Sequence, residues 1–245
     1  DLFNGKDHHP DMLKMYPCVV LENSLLHEIW EKGDYAPYTD DELVHVLSEA
    51  KKQVPKYVRI IRVIRDIPAE YIKAGSKISN LRQVIEQHQK DHDWHCKCIR
   101  CREIRNEKIL LEDYELQSIE YETETGKELF LSFEHKSENK CAAFCRLRLP
   151  KESATESFTG NLEVLKDSAI VRELHTYGQL EKIKKKGDQG QHRGLGMRLM
   201  LEAERIATEA GYEKMAVISG VGVREYYKNK LGYSLDRTYM TKVLG

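Results

Sequence analysis

Two short runs carry residues whose types and spacing could do chemistry. The first, His95-Cys96-Lys97-Cys98-Ile99-Arg100-Cys101, places three thiols in a C-x-C-x2-C pattern, with His88 and His92 just upstream. Thiolates gathered this tightly repel one another unless a cation sits among them, and Zn2+ with four nitrogen or sulfur ligands suits the set. Cys96, Cys98 and Cys101 are the ligands this spacing specifies. The fourth stays open between His92, His95 and the more remote Cys18, and an iron–sulfur cluster or three unliganded thiols are the competing readings. The second run, Gln191-His192-Arg193-Gly194-Leu195-Gly196, opens an amphipathic stretch with Met197, Leu199, Met200, Ala203, Ile206 and Ala207. A helix start offers unpaired N–H groups and the positive end of a dipole. Glycines at 194 and 196 remove the side chains that would keep a pyrophosphate away from those donors, and Arg193 adds a permanent cation.

The elements that must position these runs are legible in outline. Thr39-Asp40-Asp41-Glu42 is a capping box, followed by Leu43, Val46, Leu47 and Ala50 at helical spacing. A β-branched strand over 57–64 comes next and ends at Asp66-Ile67-Pro68. Helix then strand suits the last βα repeats of a larger parallel barrel or sheet, which gives residues 1–75 an α/β character. Residues 76–108 read as a basic connector, with a helix over 80–90 ahead of the cysteines. From 109 the grammar changes: strands over 114–121, 127–133, 141–149 and 168–176, then a helix (194–210), a strand (213–219), a short helix (223–231) and a closing strand (239–244). Four antiparallel strands followed by βαβα and a final strand make a mixed α+β sheet.

Composition narrows the classes. The 245 residues carry 39 Lys and Arg against 40 Asp and Glu, so net charge singles out no partner. Its distribution is more telling: residues 1–50 hold 3 basic and 11 acidic groups, and 51–108 hold 15 and 7. A local excess of that size attracts a polyanion or covers a solvated helix face. No apolar run is long enough for a membrane span, and the start has no signal-peptide character, which points to the cytoplasm. Six cysteines, three of them clustered, suit a metal site better than a disulfide framework. With Asp rather than Met first, the chain is expected to be a fragment of something longer.

A dinucleotide-binding reading of the glycine turn fails because Glu213 falls at the start of the second strand and not at its end; a P-loop fails for want of Gly-Lys-Ser/Thr. Strand, phosphate turn, helix, strand and tyrosine-bearing helix (Tyr226-Tyr227-Lys228) instead resemble the acetyl-CoA-dependent GNAT superfamily. Read with Arg172-Glu173-Leu174-His175-Thr176-Tyr177-Gly178, Glu202-Ala203-Glu204-Arg205-Ile206-Ala207, Ile218–Tyr227, Pro10–Lys14, Arg65–Pro68 and Asn80-Leu81-Arg82, the chain is similar to the catalytic-subunit family of Elongator, archaeal or bacterial type. That family joins a radical-SAM barrel to a GNAT domain and modifies the wobble uridine of tRNA.

The resemblance implies the C-terminal remnant of the partial barrel over 1–75, a zinc-binding connector over 76–108 and a GNAT-type α+β acetyltransferase domain over 109–245. It implies acetyl-CoA and tRNA (the anticodon stem-loop) as ligands, carboxymethylation of uridine carbon 5 as the outcome, and tRNA-stimulated hydrolysis of acetyl-CoA. Gln191, His192, Arg193, Gly194, Leu195 and Gly196 would hold the pyrophosphate, and the backbone of Leu174, His175, Thr176 and Tyr177 the pantetheine arm. Tyr226 and Tyr227 would meet the thioester, where a phenol can protonate the leaving thiolate. Glu173 and His175, two apart on one strand face, would polarise the acetyl group or position water, or else only bind; a buried pair holding the sheet is the structural alternative. Arg82, Lys97, Arg100, Arg102, Lys184 and Lys185 would meet RNA. S-adenosylmethionine and a [4Fe-4S] cluster belong to the full-length family member: the C-x3-C-x2-C motif is missing here, since Cys141 and Cys145 are followed at 148 by Arg. A protein lysine acetyltransferase and an RNA-binding module with a regulatory acetyl-CoA pocket are the alternatives, and the oligomeric state stays open between monomer and homodimer.

Overall fold

The computed structural model describes residues 2–105, 108–151, 162–177, 179–180 and 194–245. The chain divides into two compact units, Pro10–Arg102 and, joined together, Asp1–His9 with Glu103–Gly245.

Pro10–Arg102 runs β1 (Met12–Lys14), β2 (Val20–Leu21), α1 (Leu25–Glu31), α2 (Asp40–Gln53), β3 (Arg59–Arg62), β4 (Ile72–Ala74), α3 (Leu81–Asp91) and α4 (Ile99–Arg102). The capping box forms as its residue types dictate: Thr39 Oγ1 accepts from the Glu42 amide, and Glu42 Oε2 accepts from the Thr39 amide at 2.9 Å. β1 and β3 pair in parallel, with α1 and α2 in the crossover that parallel strands require, while β2 and β4 pair antiparallel. β3 is shorter than the β-branched run because the Val58 amide is spent on the Pro55 carbonyl in a turn. These strands form two-stranded sheets, and no barrel closes among the described residues. Leu43 and Leu47 of α2 are buried as expected, but Val46 is exposed and the next buried position on that face is Lys51.

The second unit continues with β5 (Lys108–Ile109), β6 (Tyr114–Thr123), β7 (Gly126–His135), β8 (Cys141–Pro150), β9 (Ser168–Thr176), β10 (Gln179–Leu180), α5 (Leu195–Glu209), β11 (Lys214–Val217), α6 (Arg224–Leu231), β12 (Ser234–Asp236) and β13 (Tyr239–Val243). Seven strands form one mixed sheet in the order β12-β13-β11-β9-β8-β7-β6. The run β6 to β9 is an antiparallel meander, and β9 passes through α5 to a parallel β11. A Cβ at Gly126 would stand 2.5 Å from the Leu149 carbonyl oxygen, so the β6–β7 turn needs glycine to lie beside the end of β8.

The sheet is an α+β layer whose main core lies under α5. Leu195, Leu199, Met200, Ala203 and Ala207 pack on Leu129, Leu131, Phe133, Ala143, Cys145 and Leu147. Cys141 and Cys145 are therefore small buried strand residues; burial raises the Cys145 thiol to about 12. Strand alternation sends Phe130, Phe144 and Arg146 to the opposite face. Between β8 and β9 the register slips: Arg146 faces Glu173 while Leu147 faces Val171. The extra residue, Arg172, inverts the alternation of everything after it. Ala169 and Val171 face α5; beyond the bulge Leu174 and Thr176 do, and Glu173 and His175 point the other way.

Candidate active site and metal centre

α5 starts at Gly194 with no side-chain cap and no acidic residue in its first turn. Its first ladder bond runs from the Arg198 amide to the Gly194 carbonyl at 3.1 Å, so the amides of Leu195, Gly196 and Met197 have no acceptor within the helix. The helix dipole adds roughly half a positive charge at this end. A Cβ at exposed Gly194 would meet nothing within 4 Å among the described residues. At Gly196 a Cβ would touch Thr176 Cγ2 and Tyr226 Oη, each at 3.4 Å. Leu174, Thr176, Gly194, Leu195, Gly196, Val223, Tyr226 and Tyr227 line a cavity of about 410 Å3.

The sheet opens beside this cavity. β11 pairs with β9 only over Ser168–Val171, and the last bond is Ile218 N–H to Val171 O at 3.1 Å. Past that point the β9 edge turned away from β8 has no strand partner among the described residues. Such an edge accepts an amide-bearing chain as an added strand. Tyr227 is packed between Tyr226 and Tyr233, with ring centroids at 5.5 and 5.9 Å. Burial raises both Tyr226 and Tyr227, the latter to about 12, so both are protonated donors near neutral pH.

Glu173 and His175 form a separate group. Glu173 Oε2 accepts from Arg146 Nε at 2.7 Å, and its Oε1 lies 3.1 Å from His175 Nε2. The His175 ring is parallel to Tyr177 at 6.0 Å and leans on Phe144 at 5.4 Å. Burial opposes charge on Glu173, but hydrogen bonds from His175 and Arg146 outweigh it and hold the carboxyl down at about 2. A carboxylate that acidic is a weak base near pH 7. The four residues expected to act together are thus split: Tyr226 and Tyr227 line the cavity, whereas Glu173 and His175 occupy the opposite sheet face. The bulge at Arg172 is the cause. Gln191, His192 and Arg193 lie outside the described residues.

The thiols of Cys96, Cys98 and Cys101 converge within 4.8 Å of one another. About 2.3 Å per Zn–S bond puts tetrahedral sulfurs about 3.8 Å apart, so this spacing suits one ion; sulfurs on separate irons of a cluster stand farther apart. Cys98 is held low, to about 2, by hydrogen bonds from the Cys101 and Cys96 thiols and from the amides of Ile60 and Cys101, while Cys96 and Cys101 are pushed up. A divalent cation held by all three sulfurs would draw off their protons. Among the described residues no histidine, carboxylate or fourth cysteine joins the group at that spacing. His92 Nδ1 is 3.0 Å from the His88 carbonyl oxygen, His95 is exposed, and Cys18 is exposed.

The basic residues divide in the same plain way. Arg102 is buried and donates to the carbonyls of Lys97 (2.7 Å) and Lys56 (2.8 Å), so it braces the cysteine segment and offers nothing to RNA, contrary to expectation. Arg82 spends its NH2 group on the carbonyls of Ile60 and Ile61. Lys97 is exposed and Arg100 half-buried. Lys184 and Lys185 lie outside the described residues. Sequence reasoning missed Lys51, whose signal was a lysine four residues beyond Leu47 on the apolar face of α2.

Among the described residues no helix is long and apolar enough to cross a membrane. A family model described as the Radical_SAM C-terminal domain matches residues 10–91. The chain is 42% identical to a tRNA uridine(34) acetyltransferase of Methanocaldococcus jannaschii, over 100% of this chain and 46% of the relative. It is 38% identical to Elongator complex protein 3 of Dictyostelium discoideum, over 100% of this chain and 44% of that one. The solved structure of the archaeal Methanocaldococcus infernus Elp3 with an N-terminal deletion matches with a TM-score of 0.81 and 39% identity, over 99% of this chain and 57% of that chain. The chain spans about half the length of the curated relatives it matches. Identity at this level along the whole chain, on the same fold, means that the chain belongs to the tRNA uridine(34) acetyltransferase and Elongator complex protein 3 family.

Proposed function

We propose that this chain is the acetyl-CoA-using part of an enzyme that modifies the wobble uridine of tRNA, with a carboxymethyl group on carbon 5 as the outcome. The observation that carries this reading is the uncapped start of α5 beside the open edge of β9. In it the amides of Leu195, Gly196 and Met197, together with Gln191, His192 and Arg193, hold the pyrophosphate. The backbone of Leu174, His175, Thr176 and Tyr177 takes the amides of the pantetheine arm as an added strand. Acetyl-CoA supplies the two-carbon unit, and as water replaces sulfur at the thioester carbonyl, Tyr226, its hydroxyl close above Gly196, donates a proton to the departing thiolate. Tyr227 supports Tyr226 by edge-on packing.

A lysine acetyltransferase needs a base to deprotonate an amine. Glu173, ionised and bonded to Arg146 and His175, is poorly suited to that task, and joining the acetyl methyl carbon to carbon 5 of uridine involves no amine to deprotonate. Glu173 and His175 therefore do not serve as that base: with Arg146 they form a bonded group on the sheet face away from the cavity. Residues 10–91 are the last part of a radical-SAM half, a reading supported by the family match and by the parallel β1–β3 crossover. The cysteines present do not fit its [4Fe-4S] cluster, so no step through S-adenosylmethionine is derived. We place the boundaries near 75 and 108; the compact unit ending at Arg102 argues that the cysteine segment travels with what precedes it. Cys96, Cys98 and Cys101 hold structural zinc there, and Lys97, Arg100, Lys184 and Lys185 meet the anticodon stem-loop, in the cytoplasm. The test is acetyl-CoA hydrolysis with and without tRNA. Stimulation by tRNA and not by a histone-like peptide is expected. Stimulation by peptide alone, or no turnover despite binding, would overturn the assignment.

A further inference from the structure

Lys51 lies in the last turn of α2 and is fully buried, an uncommon state for an ammonium group. Among the described residues its nitrogen makes no ion pair with a carboxylate; its partner is Cys101 Sγ, at 3.7 Å. A divalent ion on three thiolates leaves a net charge of −1 in a buried place, where an uncompensated charge is costly. One ammonium against one of those sulfurs cancels it.

We propose that Lys51 is the positioning residue and counter-charge of the Cys96, Cys98 and Cys101 metal site. This rests on reading that site as a metal centre. Lys51 donates an N–H to Cys101 Sγ, keeps that sulfur directed at the ion, and cancels the excess charge of three thiolates on a divalent ion, so that the remaining position takes a neutral donor. The same logic makes outer hydrogen bonds to metal ligands matter for affinity.

The experiment is Zn2+ binding to the whole chain by competition with a chromophoric chelator, with Co2+ absorption as a second readout of sulfur ligation. Lys51→Met keeps length and removes charge, Lys51→Gln keeps an N–H donor, and Lys51→Arg restores the cation. Lys51→Met is expected to bind Zn2+ some 10- to 100-fold more weakly, with a weaker sulfur-to-cobalt band. Lys51→Gln should fall between it and the wild type, and Lys51→Arg should recover most of the loss. Unchanged affinity and spectrum in Lys51→Met would overturn the proposal and leave the metal site standing. Less than one zinc per wild-type chain would instead remove the metal centre itself. If Lys51→Met fails to fold by circular dichroism, Lys51→Gln decides on the same criterion, wild-type affinity counting against the proposal.

Discussion

Gly194→Asp separates stability from binding in opposite directions. Gly194 has φ −59° and ψ 160°, an extended conformation that an N-cap aspartate adopts, and a Cβ there meets nothing within 4 Å among the described residues. α5 lacks a side-chain cap, so the new carboxylate can accept from a first-turn amide. A good cap is worth about 1 kcal/mol, or a rise in Tm of about 2–4 °C for a unit of this size. The same carboxylate occupies donors assigned to the pyrophosphate and opposes it electrostatically. At about 6 Å and an effective dielectric between bulk water and a protein surface, each charge pair costs roughly 0.7 to 3 kcal/mol. Two phosphate charges then weaken acetyl-CoA binding at least tenfold. Calorimetric titration with acetyl-CoA and thermal unfolding of the free protein measure both quantities on one preparation. Weaker binding with a higher Tm is the expected pair. Wild-type affinity alongside the higher Tm would refute the use of these amides, because the cap would have formed without displacing anything.

Cys98→Ser should release the metal and lower the unfolding temperature of the Pro10–Arg102 unit, whereas a chelator should have no such effect on the variant; metal analysis and melting curves check both. Glu173 contributes stability that is complete above its ordinary value of 4.5 and lost as pH falls towards about 2, because its carboxyl is lower in the folded state. Acid unfolding followed by fluorescence should lose that part of its pH dependence in Glu173→Gln. Lys97→Ala should lower the slope of log affinity for tRNA against log salt by about 1. Arg102→Met should leave the carbonyls of Lys97 and Lys56 without their donor, costing roughly 2–4 kcal/mol by denaturant unfolding; a changed salt slope with unchanged stability would return Arg102 to the RNA surface.

Strands β6 to β9, β11 and β13 and helices α5 and α6 followed from period and punctuation, because residues such as 127–133 and 195–207 pack on a single core whose demands match their local preferences; the two- and three-residue strands β5, β10 and β12 carry too little pattern to show. The Thr39–Glu42 box and the spacing of Cys96, Cys98 and Cys101 were likewise local, since both depend on groups only a few residues apart. Tertiary structure decided what distance along the chain conceals. Period two says that Glu173 and His175 share a face and that Leu174 and Thr176 share the other; it cannot say which face α5 covers. One extra residue at Arg172 makes that choice, and it separates the carboxylate and imidazole from the tyrosines. In the same way an arginine in a basic segment reads as a phosphate ligand until two carbonyls 5 and 46 residues away claim it, as they do Arg102. Lys51 reads as a surface charge until the fold closes over it and sets its nitrogen against a sulfur 50 residues on. Sequence determines which groups a segment can offer; burial and strand register, which depend on distant partners, determine which of those groups are left to act.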